Sequence, residues 1–156
     1  MTIKTWLKRF FSGTPRQFKV YTDGAIRNGK GPTGLGAIAF DEQGKVFQLW
    51  SQAADQMTNN EAEYRAAILA LEALLPYRPA HLQILCDSKV LVDQMNGLAR
   101  VRAPGLRGPH AKLHALTLEY EKVTFQHIPR NKNRMADALA NQPFEEGAFS
   151  EKGALS

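Results

Sequence analysis

The sequence is poor in cysteine and in long apolar runs. Cys86 is the one cysteine among 156 residues, so this chain cannot form an internal disulfide. A single thiol fits a protein of a reducing compartment, and we therefore expect a cytoplasmic location. No stretch approaches the roughly 20 apolar residues of a membrane-spanning helix. Because no Cys-x-x-Cys pair is present, the sequence also offers no zinc motif.

What the chain does contain is a globular composition with an excess of basic residues. Hydrophobic residues make up 44% of the sequence and charged residues 22%. These values are typical of a soluble protein, and a chain of this length suits one domain with a buried core. Lys and Arg number 20 against 15 Asp and Glu, which gives a net charge of +5 and a pI near 9.5. A basic balance favours a polyanionic partner.

The pattern of apolar residues divides the chain into three parts. Residues 1–17 form a short basic amphipathic extension and linker, residues 18–141 the main domain, and residues 142–156 a polar C-terminal tail. Four apolar residues of the extension share one helix face: Ile3, Leu7, Phe10 and Phe11. The extension is therefore a short helix packed on its own domain, a loosely ordered terminus, or a docking helix for a partner or a membrane surface.

Periodicity and turn signals predict the element order β-β-β-α-β-α-α-β-α. The strands are predicted at residues 18–23, 34–40, 45–50, 81–86 and 122–128. The helices are predicted at residues 58–75, 89–96, 110–121 and 131–141. Thr58 can cap the first helix, and Glu61 completes a capping box with it. The order predicts an α/β fold in which an antiparallel meander continues into a five-stranded mixed sheet with helices on both faces.

Four acidic residues stand in contexts that favour a presented carboxylate. Asp23 and Asp87 each follow an apolar strand, Glu63 lies in the first turn of the long helix, and Asp137 lies in a short apolar helix. Each has an ordinary explanation when taken alone, as a turn, capping or helix-surface residue. If the fold brings them together, their charges would repel one another strongly unless divalent cations bind there. Oxygen-only ligands favour Mg²⁺ or Mn²⁺.

The motifs that carry these residues resemble those of the type 1 ribonuclease H family. They occur in the family's order between about Phe18 and Asn141: YTDGA with a Gly-rich loop, TNNEAEYRAAI, CDSKVLV followed by MNG, and HIPRNKNRMADALAN. The resemblance implies a ribonuclease H-like fold and an endonuclease that hydrolyses the RNA strand of RNA–DNA hybrids, leaving 5′-phosphate and 3′-hydroxyl ends. It further implies two Mg²⁺ or Mn²⁺ ions per site in the substrate complex.

The resemblance also implies roles for individual residues. Asp23, Glu63, Asp87 and Asp137 match the family's metal-binding carboxylates. His127 matches a histidine that assists proton transfer or product release, although a histidine at a strand end can equally be solvent-exposed. The implied substrate contacts are Asn28, Thr58, Asn59, Asn60 and Lys89. At Lys89 the family often has Gln, and a lysine there can still reach a phosphate.

The connector LARVRAPGLR is short, like that of the subgroup without the long basic protrusion that some relatives carry. In those relatives the basic protrusion contributes to substrate binding. In this chain, nearby basic residues either take over part of that binding or form a solvated loop: Lys30, Arg100, Arg102 and Arg107. Two other functions fit the same fold, a non-catalytic hybrid-binding module and an integrase-like DNA nuclease. The presence of all four carboxylates disfavours the first, and the short chain disfavours the second. We expect a monomer.

Overall fold

The structure, a computed structural model, describes Thr2, residues 14–27 and residues 31–145. The described residues form a five-stranded sheet with three helices on one face and one on the other. The strands are β1 (Gln17–Ile26), β2 (Thr33–Phe40), β3 (Val46–Ala54), β4 (His81–Cys86) and β5 (Val123–His127). The helices are α1 (Asn59–Leu74), α2 (Lys89–Met95), α3 (Pro104–Thr117) and α4 (Arg134–Glu145). No described helix is long and apolar enough to cross a membrane.

The sheet has the strand order β3-β2-β1-β4-β5. The first three strands pair antiparallel, as the meander predicts, whereas β4 pairs parallel to both β1 and β5. Because the carboxyl ends of parallel strands meet at one edge of a sheet, β1, β4 and β5 all deliver their following residues to the same edge. The predicted mixed sheet and element order are confirmed.

The main core lies between the sheet and helices α1 to α3. Alternation along β1 places Phe18, Val20 and Thr22 on the face that packs against this core. Helix α1 buries mainly alanines together with Tyr64 and Leu71, so it packs close to the strands and to α3. The hydroxyl of Tyr64 donates a 2.6 Å hydrogen bond to Gln94 of α2, which ties the two helices together.

Helix α4 covers the opposite face of the sheet at β2. A Cβ atom on Gly34 would lie 1.8 Å from the carbonyl oxygen of Ala140, and one on Gly36 would lie 2.3 Å from that of Ala136. Only glycine therefore allows the helix to lie this close to the strand. This close approach fixes the position of α4, and with it Asp137, against β2.

Several boundaries differ from the sequence-based prediction: β3 ends at Ala54 instead of residue 50, α3 ends at Thr117 instead of residue 121, and α4 begins at Arg134 instead of residue 131. Strand β1 continues to Ile26 instead of ending at Asp23, because its pairing with β2 extends into the Gly-rich segment. Helix α3 begins at Pro104, six residues early, because a proline in the first turn needs no N–H partner and Leu106 is buried. The prediction that the last helix ends at residue 141 is wrong, since α4 continues to Glu145 and buries Pro143.

Candidate functional site

Strand pairing places two of the predicted carboxylates side by side. Tyr21 of β1 is the register partner of Leu85 in the parallel strand β4. Two residues further along each strand, the chain reaches Asp23 and Asp87. Asp23 is buried, with 6% of its surface exposed, and Asp87 is half-buried. The strand register therefore brings the carboxylates of Asp23 and Asp87 together.

Helix α1 adds the third carboxylate through close packing against β1. A Cβ atom on Gly24 would lie 2.5 Å from the backbone carbon of Ala62, so the helix can approach only because this residue is glycine. This contact brings Glu63 beside Asp23. One ligand atom each from Asp23, Glu63 and Asp87 all lie within 4.8 Å of one another.

The start of α1 explains why Glu63 and not Glu61 belongs to this group. The hydroxyl of Thr58 accepts a 3.3 Å hydrogen bond from the backbone N–H of Glu61, which is the predicted cap. The predicted return bond from the Glu61 carboxylate does not form. That carboxylate faces the first turn of α3 instead, where a Cβ atom on Gly105 would lie 2.8 Å from its Oε1.

Asp137 lies beside the three clustered carboxylates but outside the closest group. It is near enough to Asp23 for a side-chain hydrogen bond between them to raise the pKa of Asp23. The side chain of Asn141, one helical turn later, donates to both the carbonyl and the carboxylate of Asp137, at 2.9 and 3.3 Å. The structure therefore brings all four predicted carboxylates to one edge of the sheet and fixes Asp137 by a bond within α4.

Burial and crowding strongly disfavour the charged forms of this group. Burial and, to a smaller extent, the charges of Glu63 and Asp87 together raise the pKa of Asp23 to about 10. Burial and the charge of Asp87 raise the pKa of Glu63 to about 7. The direction of both shifts follows from the physics, since desolvation and like charges both penalise a carboxylate. Without a compensating cation the group is held partly protonated at neutral pH.

Asn133 is a site residue that the sequence analysis missed. Its side chain is almost fully buried, at 1% exposed, and its Nδ2 donates to the carbonyl of Thr22, at 2.9 Å, and to Oδ1 of Asp87, at 3.2 Å. It thereby joins β1 to Asp87 and fixes the orientation of that carboxylate. An asparagine just before a helix is an ordinary capping residue, so local sequence gives no signal of this contact.

The donor set suits a hard divalent cation. Its ligand atoms are all oxygens, and Oε2 of Glu63 is buried without a hydrogen-bond partner among the described residues. No described Lys, Arg or His lies within ion-pair distance of Asp23, Glu63 or Asp87. A buried carboxylate oxygen with neither donor nor cation is costly, and Mg²⁺ or Mn²⁺ would satisfy it.

His127 lies at the same sheet edge as the carboxylates. It is the last residue of β5 and the register partner of Cys86, which immediately precedes Asp87. Its side chain is exposed, and among the described residues its ring has no hydrogen-bond partner. The imidazole is thus accessible to a molecule that approaches the carboxylates from solvent.

The predicted substrate-contact residues lie on the surface where the structure describes them. Thr58, Asn59 and Asn60 are exposed at the N-terminus of α1, a position that favours anions because backbone N–H groups point outward. Lys89 is exposed at the start of α2, but its Nζ is bound to Asp93 at 2.7 Å. The prediction for Asn28 lies outside the described residues.

The basic residues of the connector are also on the surface. Arg100, Arg102 and Arg107 are all exposed, and none of them forms an ion pair with a described residue. Lys30 lies outside the described residues. Both interpretations of this connector, a substrate-binding segment and a solvated loop, agree with that exposure.

Comparison with known proteins places this arrangement in a family. A family model described as reverse transcriptase-like matches residues 21–143. A ribonuclease HI of Synechocystis is 33% identical over 144 residues, which cover 83% of this chain and 88% of the relative. The chain belongs to the type 1 ribonuclease H family. The resemblance inferred from the motifs is thereby confirmed, and the ribonuclease H-like fold with it.

A solved ribonuclease H structure and a longer relative complete the comparison. LC11 ribonuclease H1, isolated from compost by a metagenomic approach, was solved in complex with an RNA/DNA hybrid. It is 34% identical and superposes with a TM-score of 0.79, over 84% of this chain and 99% of that one. A bifunctional protein of Mycobacterium tuberculosis is 33% identical over 84% of this chain, which spans only 36% of that relative's length.

Proposed function

We propose that this ribonuclease H-family chain is a metal-dependent endonuclease that hydrolyses the RNA strand of RNA–DNA hybrids. The expected products carry 5′-phosphate and 3′-hydroxyl ends. The observation that carries the proposal is the group of three carboxylates within 4.8 Å of one another, with Glu63 Oε2 buried and unpartnered. The hybrid bound in the LC11 ribonuclease H1 structure supports the substrate class.

The four carboxylates of Asp23, Glu63, Asp87 and Asp137 would hold two Mg²⁺ or Mn²⁺ ions in the substrate complex. Bound there, the ions would lower the pKa of the attacking water and stabilise the charge that develops on the leaving oxygen. The protein's own part is to hold the carboxylates in fixed orientations. Asn133 does this for Asp87, and Asn141 does it for Asp137.

Other residues of the chain would orient the nucleic acid. The exposed N-terminus of α1 presents Thr58, Asn59 and Asn60 to a phosphate or to groups in the minor groove. Selection of the RNA strand would depend on contacts to 2′-hydroxyl groups, which only that strand carries. The accessible ring of His127 is suited to accept or donate a proton at the same sheet edge. Monomeric state and cytoplasmic location stay predictions.

Strand-specific cleavage tests the proposal. A hybrid labelled on either strand, duplex RNA and duplex DNA are incubated with the protein in Mg²⁺, in Mn²⁺ and in EDTA. The expected result is cleavage of the hybrid's RNA strand with either metal and none in EDTA. Hybrid binding without cleavage would instead indicate a binding module, and cleavage of duplex DNA would indicate an integrase-like nuclease. Equal cleavage in EDTA would contradict the metal requirement.

A further inference from the structure

A cavity of about 570 Å³ lies away from the carboxylates, on the sheet face that α4 covers only in part. Lys19 and Tyr21 of β1 line it, because strand alternation directs them away from the core that receives Phe18 and Val20. The ring of Tyr21 meets that of Phe40 edge to face, with centroids 5.8 Å apart. We call this cavity the β1 groove.

The β1 groove has apolar surface at both ends. Phe40 closes it beside the β2–β3 turn, and Met135, which is 49% exposed, closes it at the start of α4. Its volume is within the range of sites that bind a side-chain cluster or a small ligand. One rim of the groove is acidic, because Asp41 and Glu42 lie on the turn between β2 and β3. The basic side chains lie elsewhere along the lining: Lys19, Lys132 and Arg134.

The polypeptide enters the sheet at the rim of this groove. The carboxylate of Glu42 accepts hydrogen bonds from the backbone N–H of Arg16 and, at 2.8 Å, from that of Gln17. The carbonyl of Arg16 accepts from the backbone N–H groups of Ala80, at 2.7 Å, and His81, at 3.1 Å. Gln17 and Phe18, the next two residues of the chain, then line the groove. Residues 1–13 are therefore tethered to the groove's acidic rim.

The apolar side chains of that tethered segment suit the apolar surface of the groove. Residues 1–13 contain no acidic residue. Their basic residues are Lys4, Lys8 and Arg9, which would have to lie towards Asp41 and Glu42 or the solvent, away from Lys19, Lys132 and Arg134 of the lining. Their large apolar residues are Ile3, Trp6, Leu7, Phe10 and Phe11. A segment of this composition presents apolar side chains to the groove floor when its basic residues lie towards the turn or the solvent.

We propose that residues 1–13 dock in the β1 groove of the same chain through Trp6, Leu7, Phe10 and Phe11. The seven residues from Phe10 to Gln17 span at most about 25 Å when extended, enough to place Phe10 over the groove floor. Because the segment is tethered, its effective concentration at the groove is on the order of millimolar, so weak apolar contacts suffice. The inference does not depend on nuclease activity.

Disulfide trapping in the full chain tests the position of the segment. The variant Phe10→Cys is combined with Met135→Cys in the groove, and the control combines Phe10→Cys with Lys112→Cys. Lys112 is exposed on α3, on the other face of the sheet. The native Cys86 is buried and does not compete. Docking predicts that the groove pair oxidises within one chain at least about tenfold faster than the control pair.

Two results of that experiment would overturn the proposal. Equal oxidation rates for the two pairs would mean that the segment does not favour the groove. Predominance of disulfide-linked dimers for the groove pair would mean that a second copy of the chain fills the groove instead. Mass spectrometry of the cross-linked peptides distinguishes these outcomes from a disulfide that involves Cys86.

A second measurement avoids new cysteines. Phe10→Asp places a charge among the apolar residues, and Thr5→Asp places the same charge on the opposite side of the helical spacing. Docking predicts that only Phe10→Asp shifts the amide resonances of Lys19, Tyr21 and Met135. If neither variant shifts them, or if Phe10→Asp only abolishes binding to phosphatidylserine vesicles, the segment's partner is not the groove.

Discussion

The two ends of β1 lie in opposite kinds of surroundings. At its carboxyl end, Asp23 is crowded by carboxylates from α1, from the residue that follows β4 and from α4. At its amino end, Lys19 and Tyr21 border a cavity floored by aromatic rings. The first end has fixed geometry but uncompensated charge, whereas the second has apolar surface that the described residues do not cover. We therefore propose a different ligand for each, divalent ions at the carboxylates and the amphipathic segment 1–13 at the groove.

The contrast shows how one strand can separate electrostatic from hydrophobic binding. Carboxylates at the first end respond to pH and to metal, because their free energy depends on charge. The groove at the second end buries apolar surface, so its occupation depends mainly on contact area. Substitutions at the two ends should therefore change different measurable quantities.

The largest effect is expected at the carboxylate end. Asp23→Asn removes one charged ligand while keeping the side chain's size, so the kcat for RNA cleavage should fall by more than about 100-fold. Single-turnover cleavage of a labelled hybrid measures it. Asp55→Asn, which changes an exposed aspartate before α1, is the matched control and should keep its activity. Activity near the wild-type value in Asp23→Asn would rule out the proposed role.

The next largest effect is expected for the missed residue Asn133. Asn133→Ala removes the donor that orients Asp87, so the Mg²⁺ Kd should rise by about 10- to 100-fold. The KM for the hybrid should change little, because Asn133 is buried behind the carboxylates. Calorimetric titration measures the Mg²⁺ Kd, and steady-state kinetics measure the KM for the hybrid. Asn131→Ala, an exposed neighbour, is the control, and an unchanged Mg²⁺ Kd in Asn133→Ala would show that the contact positions nothing.

A smaller effect concerns stability without metal. The pKa of Asp23 rises from 3.8 to about 10 on folding and that of Glu63 from 4.5 to about 7, so the folded state binds more protons than the unfolded state. The contribution of Asp23 and Glu63 to the free energy of unfolding in EDTA should therefore be most favourable below pH 4. This contribution should be lost as the pH rises towards 7 and beyond. Urea unfolding at several pH values measures the slope of the free energy of unfolding against pH.

Substitutions at the two ends of β1 should change the pH dependence of stability differently. Asp23→Asn should flatten it and raise stability at neutral pH in EDTA by on the order of 2 kcal/mol. Lys19→Gln, at the groove end, should leave the slope unchanged. A steeper slope in Asp23→Asn than in the wild type would contradict the burial of an uncompensated charge.

The smallest effect is expected at Lys89. Its ion pair with Asp93 is on the surface, so Lys89→Ala should change the free energy of unfolding by less than about 0.5 kcal/mol. If Lys89 contacts a phosphate, the same variant should raise the KM and reduce its salt dependence while kcat stays constant. Kinetics at two salt concentrations measure both, and a KM that does not change would remove Lys89 from the predicted contacts.

The sequence predicts much of the fold because the signals for a strand or for the start of a helix come from residues next to one another in the chain. The alternation in β1, the apolar run of β4 and the capping by Thr58 all depend on neighbouring residues, and the structure agrees with them. The start of α3 was missed because Pro104 and Gly105 usually interrupt helices, although proline is well suited to a first turn.

Site contacts between distant segments could not be predicted in the same way. The bond from Asn133 to Asp87 joins residues 46 positions apart, and the contact of Glu61 with Gly105 joins two helices. Such contacts depend on the strand register and on helix packing, which no local pattern specifies. Motif order compensated for this at the four carboxylates, because a family resemblance carries spatial information that periodicity lacks.

Thermal unfolding of the wild type and of Asp23→Asn, in EDTA and in saturating Mg²⁺, tests whether the carboxylates form a metal site. If the carboxylates are a metal site, Mg²⁺ at 100 times its Kd should stabilise the wild type by about 2.7 kcal/mol and the variant by much less. The order of stability should then reverse, with the variant higher in EDTA and the wild type higher in Mg²⁺. An equal gain from Mg²⁺ in both proteins would contradict the account.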